Sequence, residues 1–211
     1  MEQKNTSTQH EFEVEKKLQL TMSQSLSLIE GFDMIDQIEL TATYWKDGGL
    51  HLPLRDRWLR KRDDMWVLKV PTSLEAPTRR SSDKYREITD TEDIKQTLGI
   101  MGVSEDFEQD LVEFGYTPWF TISTVRNTYM SDDFPDIKII RDTTGFGYEI
   151  WEVEKCVPSQ SGIENAEREI LEFISAQGVE PQGYVRGKVH QYLYQFKKNE
   201  FDELANAGIM K

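Results

Sequence analysis

Glu11, Glu13, Glu15 and Lys17 alternate along His10–Leu20 (HEFEVEKKLQL), and on an extended strand they share one face. Phe12, Val14, Leu18 and Leu20 fall on the other face, with Lys16 among them at its solvent margin. The same residues give no clean apolar stripe at helical spacing, so the stretch reads as a strand. Three carboxylates in a row repel one another, and such a face needs water, basic neighbours or a bound cation. The pattern recurs further along the chain. Acids stand at Glu87, Asp142, Glu152 and Glu154, and bases at Arg60, Arg62, Lys69 and Arg126, each on a stretch that reads as a strand. Carboxylate clusters favour hard cations such as Mg2+ or Mn2+. Arginine and lysine clusters favour phosphate oxygens, arginine by its planar fork and lysine as a point charge. A site with both suits a polyphosphate carrying a divalent metal. Spacing alone leaves two arrangements open: an open sheet that shows these charges to solvent, or a closed barrel that turns them inward.

Seven or eight strands joined mostly by turns have to position these groups. After the first strand, Thr21 caps a short helix carrying Met22, Leu26 and Ile29, which Gly31 ends. Ile38–Lys46 is a strand, followed by a turn at Asp47-Gly48-Gly49. Arg57–Arg62 and Met65–Val70 flank Asp63-Asp64 as a hairpin, with Trp58, Arg60 and Arg62 on one face and Val67 and Lys69 on another. Pro71–Ser82 is a polar, proline-containing loop expected to be mobile. Lys84–Thr89 is a short strand. Helices are expected at residues 91–99, and at 104–115 with Ser104 ahead of Phe107, Leu111 and Phe114. Strands follow at Trp119–Tyr129, Asp136–Asp142 and Phe146–Cys156. Ser161–Gln177 is a helix with an apolar stripe, and Lys188–Phe196 another.

The chain of 211 residues is long enough to bury a substantial core, and 37% hydrophobic content with 5 Trp, 8 Tyr and 10 Phe excludes a disordered polymer. A net charge of −13 argues against nucleic acid as partner, which needs a basic face. The one cysteine, Cys156, allows no internal disulfide, and the three histidines are scattered. No run approaches membrane-spanning length. These features predict a soluble, cytoplasmic, monomeric protein without membrane contact: residues 1–9 a disordered leader, residues 10–211 one domain.

Glu13-Val14-Glu15-Lys16-Lys17 matches the Glu-x-Glu-x-Lys signature of the CYTH superfamily, the triphosphate tunnel metalloenzymes. The ordered set that follows strengthens the match. It comprises Arg60-x-Arg62, Lys69, Tyr85-Arg86-Glu87, Arg126, Asp142, Phe146-Gly147-Tyr148, Glu152-x-Glu154 and Lys188. Trp58 to Arg62, as Trp-Leu-Arg-x-Arg before a Trp-x-Leu-Lys strand, resembles in particular the animal thiamine triphosphatases. The resemblance implies an α+β fold, a closed eight-stranded antiparallel β-barrel forming a tunnel, with flanking helices. It implies that Glu13, Glu15, Asp142, Glu152 and Glu154 hold Mg2+, with Mn2+ as a substitute. Lys17, Arg60, Arg62, Lys69, Arg126 and Lys188 would hold the triphosphate, and Tyr44 would be the candidate to activate water. Trp58, on the face of Arg60 and Arg62, would meet the organic group. The expected activity is hydrolysis of thiamine triphosphate to the diphosphate and phosphate. Alternatives are an inorganic triphosphatase, an adenylate cyclase and a non-catalytic polyphosphate-binding module. Two features depart from the family: Tyr44-Trp45-Lys46-Asp47 stands where Tyr-Tyr-Asp is frequent, and the Pro71–Ser82 loop is longer and more basic at Arg79-Arg80.

Overall fold

In the computed structural model, which describes residues 12–80, 82–101, 104 and 106–211, the alternating stretches become eight strands. These are β1 (Phe12–Leu18), β2 (Asp33–Lys46), β3 (Trp58–Arg62), β4 (Met65–Pro71), β5 (Asp83–Ile88), β6 (Thr117–Met130), β7 (Lys138–Thr144) and β8 (Glu149–Val157). They close in the order β1-β5-β4-β3-β2-β6-β7-β8, each neighbouring pair antiparallel. The expected closed eight-stranded barrel is therefore what forms. His10, Glu11 and the expected leader lie outside the described residues.

Among the described residues six helices flank it: α1 (Met22–Leu28), α2 (Thr91–Leu98), α3 (Phe107–Glu113), α4 (Ile163–Ala176), α5 (Lys188–Phe196) and α6 (Lys198–Asn206). The core is turned inside out relative to an ordinary small barrel, because the apolar faces of the strands point outward. Val14 and Leu18 of β1 and Trp151 and Val153 of β8 pack under Ile163, Ala166, Ile170 and Ile174 of α4. Trp45, Leu59, Trp66 and Leu68 pack with Ile94 of α2 and Phe107 and Leu111 of α3. Helices α5 and α6 cover a third cluster through Leu193, Phe201 and Leu204. None of the described helices is long and apolar enough to cross a membrane.

Several local expectations need correction. Helix α1 forms with the Thr21–Gln24 capping box, but only part of its expected stripe packs: Met22 and Leu26 are exposed, Ile29 lies against the core, and Leu28 enters it fully. Lys16, expected at a solvent margin, is buried beside the Gly183 carbonyl. Asp106, not Ser104, caps α3. The β3–β4 hairpin turns at Asp63 with φ 52°, an aspartate in the conformation glycine usually supplies. The loop after β4 is not loose. Arg80 is buried, bonds the carbonyls of Ser73 and Glu75 within the loop and donates to Asp56 just before β3, so the segment is held against the barrel.

Candidate functional site

Because successive strand residues point to opposite sides, outward packing of the apolar set forces the charged set into the lumen. The resulting cavity has a volume of about 330 Å3. It is lined by Glu13, Glu15 and Lys17 of β1, Trp58, Arg60 and Arg62 of β3, Lys69 of β4 and Arg126 of β6, together with Glu152 and Glu154 of β8. Tyr44 of β2 and Lys188, the first residue of α5, also line it. Twelve of the thirteen residues expected at the site therefore share one cavity. The exception is Asp142 of β7, which lies in an adjoining cleft with Tyr44, Arg60, Arg62, Arg126 and Lys188.

Opposite charges interlock across the lumen. Lys69 Nζ lies 2.5 Å from Glu13 and 3.1 Å from Glu87. Lys17 pairs with Glu15 at 2.5 Å and also with Asp83. Asp142, fully buried, accepts two bonds from Arg126, at 2.8 and 2.7 Å, and a third from Lys188. Both cations reach toward Glu152 as well, at 3.6 and 3.5 Å. Burial pushes Glu152 up, but Lys188, Lys17 and Arg126 outweigh it and hold the carboxyl well below the usual range. Glu87 likewise falls to about 2, its burial overcome by Lys69 and Arg60.

In two regions of the lumen such pairing does not cancel the cost of burial or of like charges. At the first, burial and neighbouring carboxylates win: Glu15 rises to about 7 despite Lys17, with Glu152 adding to the rise. Glu154 is raised by burial and then by Glu13. Lys17 pairs Glu15 and Lys138 pairs Glu154, yet burial of both carboxyls outweighs these cations, and an oxygen-rich set of this kind fits a hard divalent cation. Among the described residues no three of these side chains converge on one point, since Glu13 and Glu15 are turned toward lysines. At the second region, Arg60, Arg62 and Arg126 stand together. Burial, then Arg60 and Arg126, lower the pKa of Arg62, and the buried Arg60 Nε lacks a hydrogen-bond partner. A guanidinium donor left without a partner in a lumen fits a phosphate oxygen.

Tyr44 stacks on Phe120 with ring centroids 5.1 Å apart, and its hydroxyl meets Arg60. Sequence reasoning missed Asp83, Lys138, Tyr184 and His190, all of which line the cavity. Alternation could have supplied the first two, since Asp83 is in phase with Tyr85 and Glu87, and Lys138 with Asp142. Tyr184 and His190 come from the segment leading into α5 and from α5 itself, and no periodic signal marks them. His190 faces Trp58 at 5.4 Å and bonds the Tyr184 hydroxyl at 2.6 Å. Burial lowers its pKa to about 4, so the imidazole is neutral near pH 7.

No protein-family model matches the chain. The thiamine-triphosphatase of Macaca fascicularis is 27% identical over 181 residues, covering 80% of this chain and 78% of the relative. A solved structure from Pyrococcus horikoshii OT3 superposes with a TM-score of 0.63 at 18% identity, covering 87% of this chain and 99% of its own. A Hippeastrum adenylyl cyclase candidate, described as having a dominant triphosphatase activity, superposes at 0.53 with 14% identity over 88% of this chain and 96% of its own. The inward charged faces and the order of strands that carries them stand beside these likenesses: the chain shares its barrel fold with the solved structures and is similar over most of its length to thiamine-triphosphatase.

Proposed function

We propose that the protein hydrolyses the terminal phosphoanhydride of an organic triphosphate, with thiamine triphosphate as substrate and Mg2+ as the metal. The observation that carries the reading is the cluster of Arg60, Arg62 and Arg126 facing the cavity, opposite buried carboxylates of which Glu15 is raised to about 7 despite Lys17. Arg60, Arg62, Arg126 and the lysines 17, 69 and 188 hold phosphate oxygens and orient the chain in the tunnel. Glu13, Glu15, Glu152 and Glu154, with Asp142 behind them, would hold Mg2+, which when bound neutralises charge on the transferred phosphoryl group. Water attacks the terminal phosphorus in line, the bond to the bridging oxygen breaks, and the organic diphosphate, phosphate and the water's proton are released. Tyr44, whose hydroxyl sits beside Arg60, is the group placed to orient that water. The single thiol of Cys156 suits a reducing, cytoplasmic setting.

The deciding experiment is phosphate release from thiamine triphosphate, tripolyphosphate and ATP, each with and without Mg2+. Release from thiamine triphosphate that requires Mg2+ is the expected result. Faster release from tripolyphosphate would make the protein an inorganic triphosphatase. Tight binding without release from any of the three would make it a binding module, and pyrophosphate release from ATP a cyclase.

Removing one guanidinium at the phosphate end has a predictable cost. Arg60→Ala or Arg62→Ala is expected to weaken triphosphate binding by about 1.5–3 kcal/mol, the range for hydrogen bonds to charged groups. Calorimetry with a non-hydrolysed triphosphate in folded variants checks this, and unchanged affinity would remove both arginines from the binding set.

Trp58 accounts for the organic group. Its indole lines the cavity on the same strand face as Arg60 and Arg62, and an indole face attracts a cationic ring such as thiazolium by about 0.5–2 kcal/mol. Trp58→Ala is expected to raise KM for thiamine triphosphate about twofold to thirtyfold, with tripolyphosphate kinetics nearly unchanged. Equal losses on both substrates would assign the tryptophan to packing.

A further inference from the structure

Between β2 and β3 a short 3-10 turn, Pro53–Arg55, ends at Asp56 with φ 55° and ψ 35°. A non-glycine residue in this left-handed region is strained, and it persists only where its surroundings fix it. Asp56 is 3% exposed, and its carboxylate is fully engaged. Oδ1 accepts from Trp58 Nε1 at 2.9 Å and from the Tyr85 hydroxyl at 2.8 Å. Oδ2 accepts from Arg80 Nη1 at 2.8 Å. The remaining donors of Arg80 go to the loop itself, Nε to the Glu75 carbonyl at 2.8 Å and Nη2 to the Ser73 carbonyl at 3.2 Å. The long basic loop after β4 thus delivers one arginine to one buried carboxylate. That carboxylate in turn holds the only hydrogen-bond donor an indole has. Burial pushes the Asp56 carboxyl up, and the bonds from Trp58, Arg80 and Tyr85 oppose that rise.

We propose that Asp56, clamped by Arg80, is a positioning residue for substrate choice: it fixes the Trp58 indole so that the ring face meets a cationic ring at the organic end of the triphosphate. The inference rests on the reading of Trp58 given above. Neither Asp56 nor Arg80 lines the cavity, so their influence on the substrate passes through the side chains Asp56 holds.

The test compares kcat and KM for thiamine triphosphate and tripolyphosphate in the wild type, Asp56→Asn, Trp58→Ala and the double variant. Asp56→Asn keeps the shape and one acceptor oxygen but loses the ion pair. KM for thiamine triphosphate is expected to rise about threefold to tenfold, with kcat and the tripolyphosphate constants within about twofold of wild type. In the Trp58→Ala background the same replacement adds nothing to the ratio of the two KM values. Arg80→Lys keeps the charge but not the fork, and it reports the same shift should Asp56→Asn not fold. The inference is overturned by equal losses on both substrates, or by an Asp56→Asn effect that persists in full without the indole. An unchanged ratio in Asp56→Asn, or in Arg80→Lys where that stands in, overturns it as well. A ratio that Trp58→Ala itself leaves unchanged defeats the reading of Trp58 along with it. A shift in Trp58→Ala with none in Asp56→Asn defeats the positioning role alone.

Discussion

Replacing Glu13 and Glu15 together by glutamine is expected to lower Mg2+-dependent turnover by about 100- to 10,000-fold while the barrel stays folded. A bound metal supplies several kcal/mol of transition-state charge stabilisation, and each ~1.4 kcal/mol lost is a factor of ten in rate. Glutamine keeps the length and polarity of both side chains and removes only the charge that would hold the cation. The fold survives because each cation left behind has a second carboxylate: Lys69 keeps Glu87 at 3.1 Å, and Lys17 keeps Asp83. The outward residues Val14 and Leu18 still pack in the core under α4. Ionisation of Glu15 is itself costly in the folded state. Its folded pKa, about 7, lies above the ordinary value of 4.5. The stability it contributes is therefore present at low pH and is lost as pH rises through about 7. A permanently neutral glutamine escapes that loss, so the double variant should melt at pH 8 no lower than the wild type. Phosphate release and a thermal melt on the same preparation check both halves. Full Mg2+-dependent turnover in the folded variant would remove these two residues from the metal site.

Asp142→Ala is expected to destabilise the protein by about 3–5 kcal/mol, the cost of removing one member of a buried ion cluster. Asp142 has no exposed surface, and Arg126 and Lys188 both bond it. Its loss leaves two cations in a lumen already crowded with them near Arg60 and Arg62. For a domain of this size, about 2–4 °C of Tm accompanies each kcal/mol. A drop of roughly 6–20 °C follows, read by calorimetry in the absence of metal and substrate. An unchanged Tm would show that Arg126 and Lys188 are held by Glu152 alone. The role the family resemblance gives Asp142, as a metal ligand, separates from this clamp by the Mg2+ dependence of rate. Asp142→Asn, which keeps an acceptor for the two cations, should retain more of the Tm than the alanine variant. If the carboxylate also binds metal, the asparagine variant will still need more Mg2+.

What the sequence by itself determined is the division of each strand into a charged and an apolar face. That division is local, because consecutive side chains on an extended chain point to opposite sides whatever the strand pairs with. It placed Glu13, Glu15 and Lys17, then Trp58, Arg60 and Arg62, then Glu152 and Glu154, on common faces before any neighbour was known. Strand and helix positions were legible for the same reason, apart from α6, which follows α5 after the single residue Lys197 and shows no separate start. Only the tertiary structure decided whether the charged faces looked out or in. Closure depends on β1 pairing with β5 on one side and β8 on the other, across about 70 and 140 residues of chain. Family resemblance could supply that answer in advance, but periodicity could not. The same non-local step brought Tyr184 and His190 from the chain's last segment to the lumen, drew the bond from Arg80 to Asp56, and showed that the loop after β4 is held in place. Hydrogen bonds between residues far apart in sequence leave no repeat to read, because their geometry exists only once the barrel has closed.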